Sequence, residues 1–522
     1  MVPLSDASPY PTLAPLGPED EARFCGRLRK VERLRQLLDA HRIVSVLGAC
    51  GTGKSSLVRA GLWHQLRREL QDGVAVFCIS HPGLDPFAEL ATQGLRSASD
   101  DLVLSLLSVA KTGRKVVLIC DHLEELLFAE PYSRQNLVAQ LEALGKAIDD
   151  GAPLQIVLVA HSDALSALAV VAKGLLGLLG RQTLWLAPLL DVSEWTEIVR
   201  SPARQAGLRV EESMLAALGK DLDAYAASVA SGQRSAAVLP LLVSMLRRTL
   251  HVARLGPTPR VLSLDDYQSS GGLLRSLPDT VEASWRSQPP ALQLHQRRAL
   301  LSLLHRQTLS EGEVLFSRPR RRSELLTLIS PDRGDDPASA SDVEALSRLV
   351  AAELIRETPG SDVVELMHPI LLSVWPELRR WPDEERRFEQ WHAELLGSLQ
   401  REGSSLSGLS SLGGVSLSQP HAQLAGYKLA EAERWLSERP SQIDLKVARL
   451  IKASAQAQSR RPQVPVTQQP VRRRWVPWAI VASLLVLTLG LLAERQRQTL
   501  LSARHDDAIA AEQGARAALL VQ

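Results

Sequence analysis

The sequence predicts an α/β protein whose parallel sheet is followed by helical domains, and three observations support this fold class. Short, uninterrupted apolar runs recur at wide spacing in the first 190 residues, with helical patterns between them. Such runs are typical of parallel strands that helices cover on both faces. The first run leads directly into a glycine-rich segment and a helix, and from about residue 191 the apolar pattern turns helical.

The elements of the α/β part follow in chain order. A helix is predicted over residues 27–42, and a second over residues 55–70, directly after the glycine-rich segment. The apolar stripe of the first helix is predicted to consist of Leu28, Val31, Leu34, Leu37 and Leu38. The runs expected to form buried strands are residues 43–47, 74–79, 115–120, 154–160 and 183–186.

Composition and charge bear on the number of domains, the partners and the compartment that are expected. A chain of 522 residues is too long for one ordinary domain, so several are expected. The 60 Lys and Arg residues nearly balance the 58 Asp and Glu residues, so the net charge gives no strong nucleic-acid signal. The four cysteines form no C-x-x-C pair and are expected to be free thiols. Residues 1–20 are Pro-rich and lack the pattern of a signal peptide, so the N-terminal part is expected in the cytosol.

The glycine-rich segment, residues 48–55 (GACGTGKS), fits the phosphate-binding pattern G-x-x-x-x-G-K-[ST] between a predicted strand and a predicted helix. Glycines let the backbone N–H groups face phosphate oxygens, and the helix N-terminus adds positive potential. Lys54 is expected to reach the β- and γ-phosphates of a nucleoside triphosphate, and Ser55 to bind Mg²⁺.

Polar residues follow two other predicted strands. Asp121 ends the apolar run 115–120 and is the expected second ligand of Mg²⁺. Glu124 and Glu125 follow closely, and either is a candidate to orient a water molecule toward the γ-phosphate. His161 ends the next run, where a polar group would lie beside the phosphates. The alternative is that these are ordinary solvated strand ends and an acidic helix start.

After residue 300 the pattern of predicted secondary structure changes. Two helices followed by a β-hairpin resemble a winged helix, and a basic run at 318–322 is interpreted as a solvated loop rather than a contact to phosphate or nucleic acid. The predicted elements are helices at 323–329 and 342–354, a hairpin at 355–367, a helix at 377–399, a mobile loop at 403–419 and helices at 422–456.

Residues 475–493 carry no charge and are predicted to cross a membrane. A helix of this length spans about 28 Å at ~1.5 Å per residue, close to the ~30 Å hydrocarbon thickness. Tryptophans at 475 and 478 suit the membrane interface, and more arginines precede the run than follow it. This asymmetry places the N-terminal side in the cytoplasm, with the chain in the cytoplasmic membrane as a single-pass protein.

Taken in order, these motifs resemble those of the STAND class of signal-transduction ATPases, specifically the bacterial novel STAND NTPases. Residues 24–27 (FCGR) are similar to the family's F-x-G-R segment, residues 121–126 (DHLEEL) to its D-Q-F-E-E-L segment, and residues 201–208 (SPARQAGL) to its P-A-x-x-A-G-L segment. Residues 239–242 (LPLL) resemble the family's lid motif with its proline, and residues 367–368 (MH) resemble the segment with the winged-helix histidine.

The resemblance implies roles for individual residues. Arg27 would lie near the adenine, Pro240 of the lid would pack on the base, and His368 would contact the β-phosphate in a closed, ADP-bound state. The residues expected to contact the nucleotide are Gly48, Gly51, Thr52, Gly53, Lys54, Ser55, Ser56, Arg27, Asp121, His161, Pro240 and His368. Two departures stand out: His161 occupies the position of a family arginine, and Pro369 that of an acidic residue.

The domains expected on this basis are a Pro-rich segment (1–20), a P-loop NTPase domain (21–190), a helical lid (191–300), a winged-helix-like domain (301–385), a helical region (386–456), a basic linker (457–474), a transmembrane helix (475–493) and a helical tail (494–522).

Three functions follow from the resemblance and the departures. The first is a membrane-tethered switch that binds ATP or ADP with Mg²⁺, hydrolyses ATP slowly, and opens to form homo-oligomers that engage a protein effector. The second is a catalytically weak nucleotide-binding scaffold, which the departure at His161 favours. The third is a constitutive, motor-like ATPase acting on a membrane partner. A DNA-reading winged helix is disfavoured, since no strongly basic recognition helix is visible.

Overall fold

The computed structural model describes residues 8–96, 101–231, 237–255, 260–309, 312–329, 339–358, 361–407, 424, 426–439 and 443–460. The chain divides into two compact units, Met1–Trp391 and His392–Gln522. The predicted transmembrane helix (475–493), the tail (494–522) and most of the predicted linker lie outside the described residues. Within the described ranges, no helix is long and apolar enough to cross a membrane.

A five-stranded parallel sheet forms the centre of the first domain, as the apolar runs predict. Its strands are β1 (Ile43–Gly48), β2 (Val74–Ile79), β3 (Lys115–Cys120), β4 (Leu154–His161) and β5 (Thr183–Leu186). The spatial order is β2-β3-β4-β1-β5. The strand before the glycine-rich loop and the strand before Asp121 are therefore separated by β4, and the carboxyl ends of all three meet at one edge.

Both faces of this sheet are buried. Alternate strand residues such as Leu118 and Ile156 belong to one apolar core, whereas Val117 and Val157 belong to another on the opposite face. The helices that cover the faces are α1 (Leu28–His41), α2 (Lys54–Ser56), a π-helical segment (Leu57–Trp63), α3 (His64–Leu70), α4 (Pro86–Thr92), α5 (Leu102–Ala110), α6 (Pro131–Asp149), α7 (Leu165–Val171) and α8 (Lys173–Leu179).

Two details of this domain differ from the sequence predictions. Leu28, predicted on the buried stripe of α1, is 68% exposed, so the stripe begins one turn later at Val31. Part of the Pro-rich segment, for which no contact was predicted, packs on the protein: Tyr10 is buried and its hydroxyl donates a hydrogen bond to the Val199 carbonyl over 2.9 Å.

The region predicted as the lid, called the lid below, follows the sheet and is mainly helical. Its helices are α9 (Val192–Gln205), α10 (Glu212–Ala230), α11 (Leu239–Leu255), α12 (Leu264–Ser269) and α13 (Gly272–Arg286), and two short strands, β6 (Arg209–Val210) and β7 (Val261–Leu262), pair in parallel. The next helix, α14 (Pro290–Ser302), was assigned to the lid, but its His295 and Arg298 bond to Asp342 and to the Ile329 carbonyl of the winged helix. The boundary therefore lies near residue 288.

In the region predicted as a winged helix, called the winged helix below, the predicted helices and hairpin are present and one further hairpin precedes them. After α14 come a hairpin that the sequence did not reveal, then the helices and the three-stranded sheet in the order β10-β12-β11. The basic run 318–322, interpreted as a solvated loop, instead contains strand β10. The elements are β8 (Leu304–Leu309), β9 (Gly312–Ser317), β10 (Arg320–Arg321), α15 (Arg322–Ile329), α16 (Ala340–Ala351), β11 (Ile355–Glu357), β12 (Val363–Leu366) and α17 (Leu371–Val374).

The lid and the winged helix share one apolar core. Buried leucines of α11 and of the segment around Leu366 belong to the same cluster. The ring of Trp285, on α13, lies with its centroid 5.4 Å from that of Trp375 and 5.0 Å from that of Trp381. Arg247 of α11 forms an ion pair with Glu353, 2.7 Å between Nη2 and Oε1. The two domains are therefore packed as one body.

The next helix is α18 (Pro376–Ser407). It is longer than the predicted helix and includes residues 403–407, which were predicted to belong to a loop; residues 408–419 of that loop lie outside the described residues. In the second unit, α19 (Tyr427–Glu438) and α20 (Leu445–Arg460) pack against each other and bury Trp435 and Ile451.

Candidate nucleotide-binding site

The glycine-rich loop lies between β1 and α2, where the lid and the winged helix also meet it. Gly51 and Gly53 have φ angles of +76° and +79°, a region that favours glycine. A Cβ atom on Gly51 would lie only 2.7 Å from Cγ of Pro240 and 3.2 Å from Cε1 of His368. The loop therefore needs glycine for its backbone conformation and for the close approach of two other domains.

Lys54 is 8% exposed and its Nζ donates hydrogen bonds to the carbonyl oxygens of Gly48 and Ala49, each over 3.0 Å. An ammonium held inside a curled loop of backbone N–H groups is the arrangement that binds phosphate oxygens. The geometry at Lys54 therefore fits the phosphate chain of a nucleotide.

The two expected Mg²⁺ ligands are adjacent. Ser55 Oγ lies 3.2 Å from Asp121 Oδ1, and Asp121 is fully buried. Burial acts to raise the pKa of Asp121, but the neighbouring His122 ring and the Arg59 guanidinium, with hydrogen bonds from Ser55 and the His122 amide, hold it below its ordinary value. The second oxygen of Asp121, Oδ2, is buried and accepts no hydrogen bond from the described residues.

These observations fit Mg²⁺. The cation keeps several waters and takes one or two protein oxygens plus phosphate oxygens, which matches a serine hydroxyl beside an ionised carboxylate. Within the described ranges, no three His, Cys, Asp or Glu side chains gather to hold a metal ion. Ser55 and Asp121 are therefore the residues that would hold Mg²⁺ here.

The two candidate catalytic glutamates point to different strand ends. Glu124 Oε2 accepts a hydrogen bond from the backbone N–H of His161 over 3.0 Å, at the end of β4. Glu125 Oε1 lies 3.2 Å from His81 Nδ1, and its Oε2 accepts from the Gly83 N–H over 3.2 Å, near the end of β2. Both oxygens of Glu125 thus have partners, whereas Glu124 is held through one.

Two histidines that line the site have neutral imidazole rings. Burial and the positive charge of Lys54 lower the pKa of His161 well below its ordinary value, and its buried Nδ1 has no partner among the described residues. Burial and the positive charge of Arg356 lower the pKa of His368 to about 3. Nδ1 of His368 accepts from the Ile370 N–H over 3.0 Å, so the ring proton lies on Nε2.

Arg27, in the lead-in segment (residues 24–27), and the residues Thr52 and Ser56 lie next to the phosphate site. Arg27 is buried, and its guanidinium donates to the Thr52 carbonyl. The Thr52 hydroxyl donates to the Ala49 carbonyl over 3.0 Å, and Ser56 Oγ accepts from the Leu16 N–H over 3.0 Å. The structure thus joins the lead-in segment to the loop.

One cavity of about 660 Å³ connects these groups, a volume in the range of ligand sites. Its wall includes the segment 10–16, the lead-in, the loop, the lid and the winged helix. Gly48, Thr52 and Asp121 are not part of its lining. The predicted residues that line it are Arg27, Gly51, Gly53, Lys54, Ser55, Ser56, Glu124, Glu125, His161, Pro240 and His368.

The family model of Novel STAND NTPase 1 matches residues 9–401, about three quarters of the chain. The chain belongs to this family. The resemblance seen in the motifs is therefore confirmed for the P-loop NTPase and for its STAND class. No curated protein matches the chain.

Solved structures similar to this STAND NTPase share little sequence with it. The ORC1 protein of Aeropyrum pernix, in complex with DNA, is 17% identical, with 72% of this chain and 95% of that one covered and a TM-score of 0.35. The ORC2 protein of Aeropyrum pernix, in its ADPNP–ADP complexes, is 15% identical, with 73% and 98% covered and a TM-score of 0.37. A Walker-type ATPase of Pyrococcus abyssi is 16% identical, with 68% and 95% covered and a TM-score of 0.30.

Two residues of this STAND NTPase, Arg59 and His122, lie at the site although neither was predicted from the sequence to belong to it. Arg59, in the π-helical segment, lies with its Nε 3.4 Å from Asp121 Oδ2. His122, with φ of +53°, has its Nε2 3.3 Å from Ser55 Oγ and its Nδ1 3.2 Å from the Ser80 carbonyl. A π-helical turn frequently marks a functional site, but it is not visible in a sequence pattern.

Proposed function

We propose that the protein is a nucleotide-dependent switch that binds ATP or ADP with Mg²⁺, hydrolyses ATP slowly and self-assembles when ATP replaces ADP. The observation that carries the proposal is the contact at Gly51, where Pro240 of the lid and His368 of the winged helix both approach the phosphate loop. A nucleotide in this loop would touch three domains at once. Its differential affinity for two arrangements of those domains is what would drive the switch.

The residues around the phosphates have distinct proposed roles. Lys54 binds the phosphate chain, Ser55 and Asp121 hold Mg²⁺, and His368 offers its Nε2–H to the nucleotide in the closed state. Bound Mg²⁺ would neutralise phosphate charge. Arg59 keeps Asp121 ionised, since its guanidinium lies 3.4 Å from that carboxylate.

We also propose that the chain is tethered to the cytoplasmic membrane through residues 475–493, with the NTPase domain in the cytoplasm and a protein effector engaged on activation. The support is the uncharged run and the arginine-rich stretch that precedes it.

One experiment on the full chain tests these proposals. The chain is expected in the membrane fraction, and after purification in detergent it should carry ADP, identified by chromatography after denaturation. Exchange for ATP should increase its mass by light scattering, with slow phosphate release. A chain that binds neither nucleotide would contradict the switch, and recovery of the chain only in the soluble fraction would contradict the tether.

A catalytically weak scaffold is the second candidate, and one observation favours it. His161 stands where an arginine would face the phosphates, and burial keeps its imidazole neutral and thus a poorer phosphate ligand. Bound nucleotide without phosphate release would support this alternative.

Glu124 is the stronger candidate for the water-orienting base, because both oxygens of Glu125 are already bonded to His81 and Gly83. Glu124→Gln is therefore expected to slow single-turnover phosphate release by ~100-fold. Glu125→Gln, the same change one residue along, should slow it less than about tenfold, and nucleotide affinity should be kept in both. The opposite ranking would assign the role to Glu125.

A further inference from the structure

A row of four charged side chains connects the nucleotide domain to the winged helix beside the cavity. His81 follows β2, and its Nδ1 lies 3.2 Å from Glu125 Oε1. On the other side of the ring, Nε2 lies 3.8 Å from Oε1 of Glu365, which belongs to β12. The same oxygen forms an ion pair with Arg356, on β11, whose Nη2 lies 2.7 Å away. His81, Glu125 and Glu365 are all buried.

The charges of this row alternate in sign. Burial acts to lower the pKa of His81, but Glu125 and Glu365 outweigh it and raise the pKa to about 9, so the ring is an imidazolium. Nδ1 then donates to the Glu125 carboxylate, while Nε2 faces the Glu365 carboxylate of the winged helix as an ion pair at 3.8 Å. Removing one member would leave a buried charge without its partner, which is costly in a low-dielectric interior.

The position of His81 is set by its neighbours. The Glu89 carboxylate accepts from the N–H groups of Ser80, over 2.9 Å, and of His81, over 3.3 Å, and so holds the end of β2. Gly83 donates to Glu125 Oε2, and a Cβ on Gly83 would lie 2.8 Å from Cβ of Glu125. The ring is therefore fixed between the two carboxylates.

A second contact reaches the same segment of the nucleotide domain. Phe128 ends the turn that carries Glu124 and Glu125, and its ring centroid lies 5.3 Å from that of His305, on β8. The guanidinium of Arg318 lies 5.7 Å above the same ring. The winged helix thus docks on the segment that follows Asp121 at two places, one polar and one aromatic.

We propose that His81 is a positioning residue that ties Glu125 to Glu365 and so couples docking of the winged helix to the segment that carries Asp121 and Glu124. This inference rests on the proposed switch function. Undocking removes Glu365 and Arg356 from His81, so the ring that holds Glu125 is no longer fixed from both sides. Because coupling between binding equilibria is reciprocal, retention of nucleotide and docking of the winged helix strengthen each other.

The test is the rate at which the full chain releases a fluorescent ADP analogue. His81→Ala and Glu365→Gln are each expected to speed release by ~10-fold, which is within the cost of leaving one charge of a buried pair without its partner. The double variant should release no faster than His81→Ala alone, since residues that act through one contact are not additive. His81→Lys, which keeps a positively charged donor, should restore slow release.

Glu344→Gln is the matched control, because Glu344 is a carboxylate of the same domain whose exposed side chain pairs with Arg348 of its own helix, 2.8 Å away. Release rates of His81→Ala and Glu365→Gln equal to that of the control would overturn the inference, as would effects that multiply in the double variant. If the His81→Ala chain does not fold, the inference is tested by Glu365→Gln, which should speed release, and by His81→Lys, which should keep it slow. A wild-type chain that binds no ADP would instead overturn the switch function itself.

Discussion

Replacing Lys54 by alanine is expected to weaken binding of both ATP and ADP by ~100-fold or more, the scale of losing one partner of a buried charge pair. The side chain is 8% exposed and its ammonium is already enclosed by the loop carbonyls of Gly48 and Ala49. Alanine removes the charge that the phosphate chain would meet, while helix α2 keeps a good helix former. Titration with fluorescent ATP and ADP analogues measures the affinity, and phosphate release should fall to background.

Lys111→Ala is the matched control, because Lys111 is an exposed lysine at the end of α5, outside the cavity lining. Its affinity for both nucleotides should equal that of the wild type. Equal affinities in the Lys54 and Lys111 variants would remove the phosphate loop from the binding site and with it the proposed function.

Replacing His368 by alanine is expected to loosen the closed arrangement and raise the oligomeric fraction in ADP, without added ATP. The ring lies against Gly51, and its Nε2 carries the proton that would be donated to the nucleotide. Loss of one such buried hydrogen bond corresponds to ~10-fold in the balance between closed and open states. Light scattering of the full chain in detergent, with ADP and then with ATP, measures the mass.

The control for this change is His41→Ala, because His41 is an exposed histidine at the end of α1. It should remain at the wild-type mass in ADP. A His368 variant whose mass is unchanged in both nucleotides would show that this ring does not restrain assembly.

The sheet and the phosphate loop were predictable because their signals are local. Each strand is a mainly apolar run, so all five were predicted with ends within one residue, and β1, the loop and α2 follow one another directly in the chain. The position of Asp121, directly after such a run, was predicted in the same way. Where burial on both faces decides the residue types, sequence pattern and structure agree.

The residues that the sequence did not reveal are tied by contacts between distant segments. His81 and Glu365 are separated by 284 positions (365 minus 81), and neither lies in a periodic pattern that would pair them. Tyr10 is an isolated aromatic whose hydroxyl finds the Val199 carbonyl only in the fold. The β8–β9 hairpin was missed because β8 mixes polar with apolar residues (LHRQTL) and shows no clean alternation.

The shared core of the lid and the winged helix constrains how the molecule can open. Swinging the winged helix away from the lid would expose the cluster around Trp285 to water and break the ion pair between Arg247 and Glu353. A movement that keeps this core intact turns both domains together as one rigid arm. In such a movement Pro240 and His368 would leave the phosphate loop together.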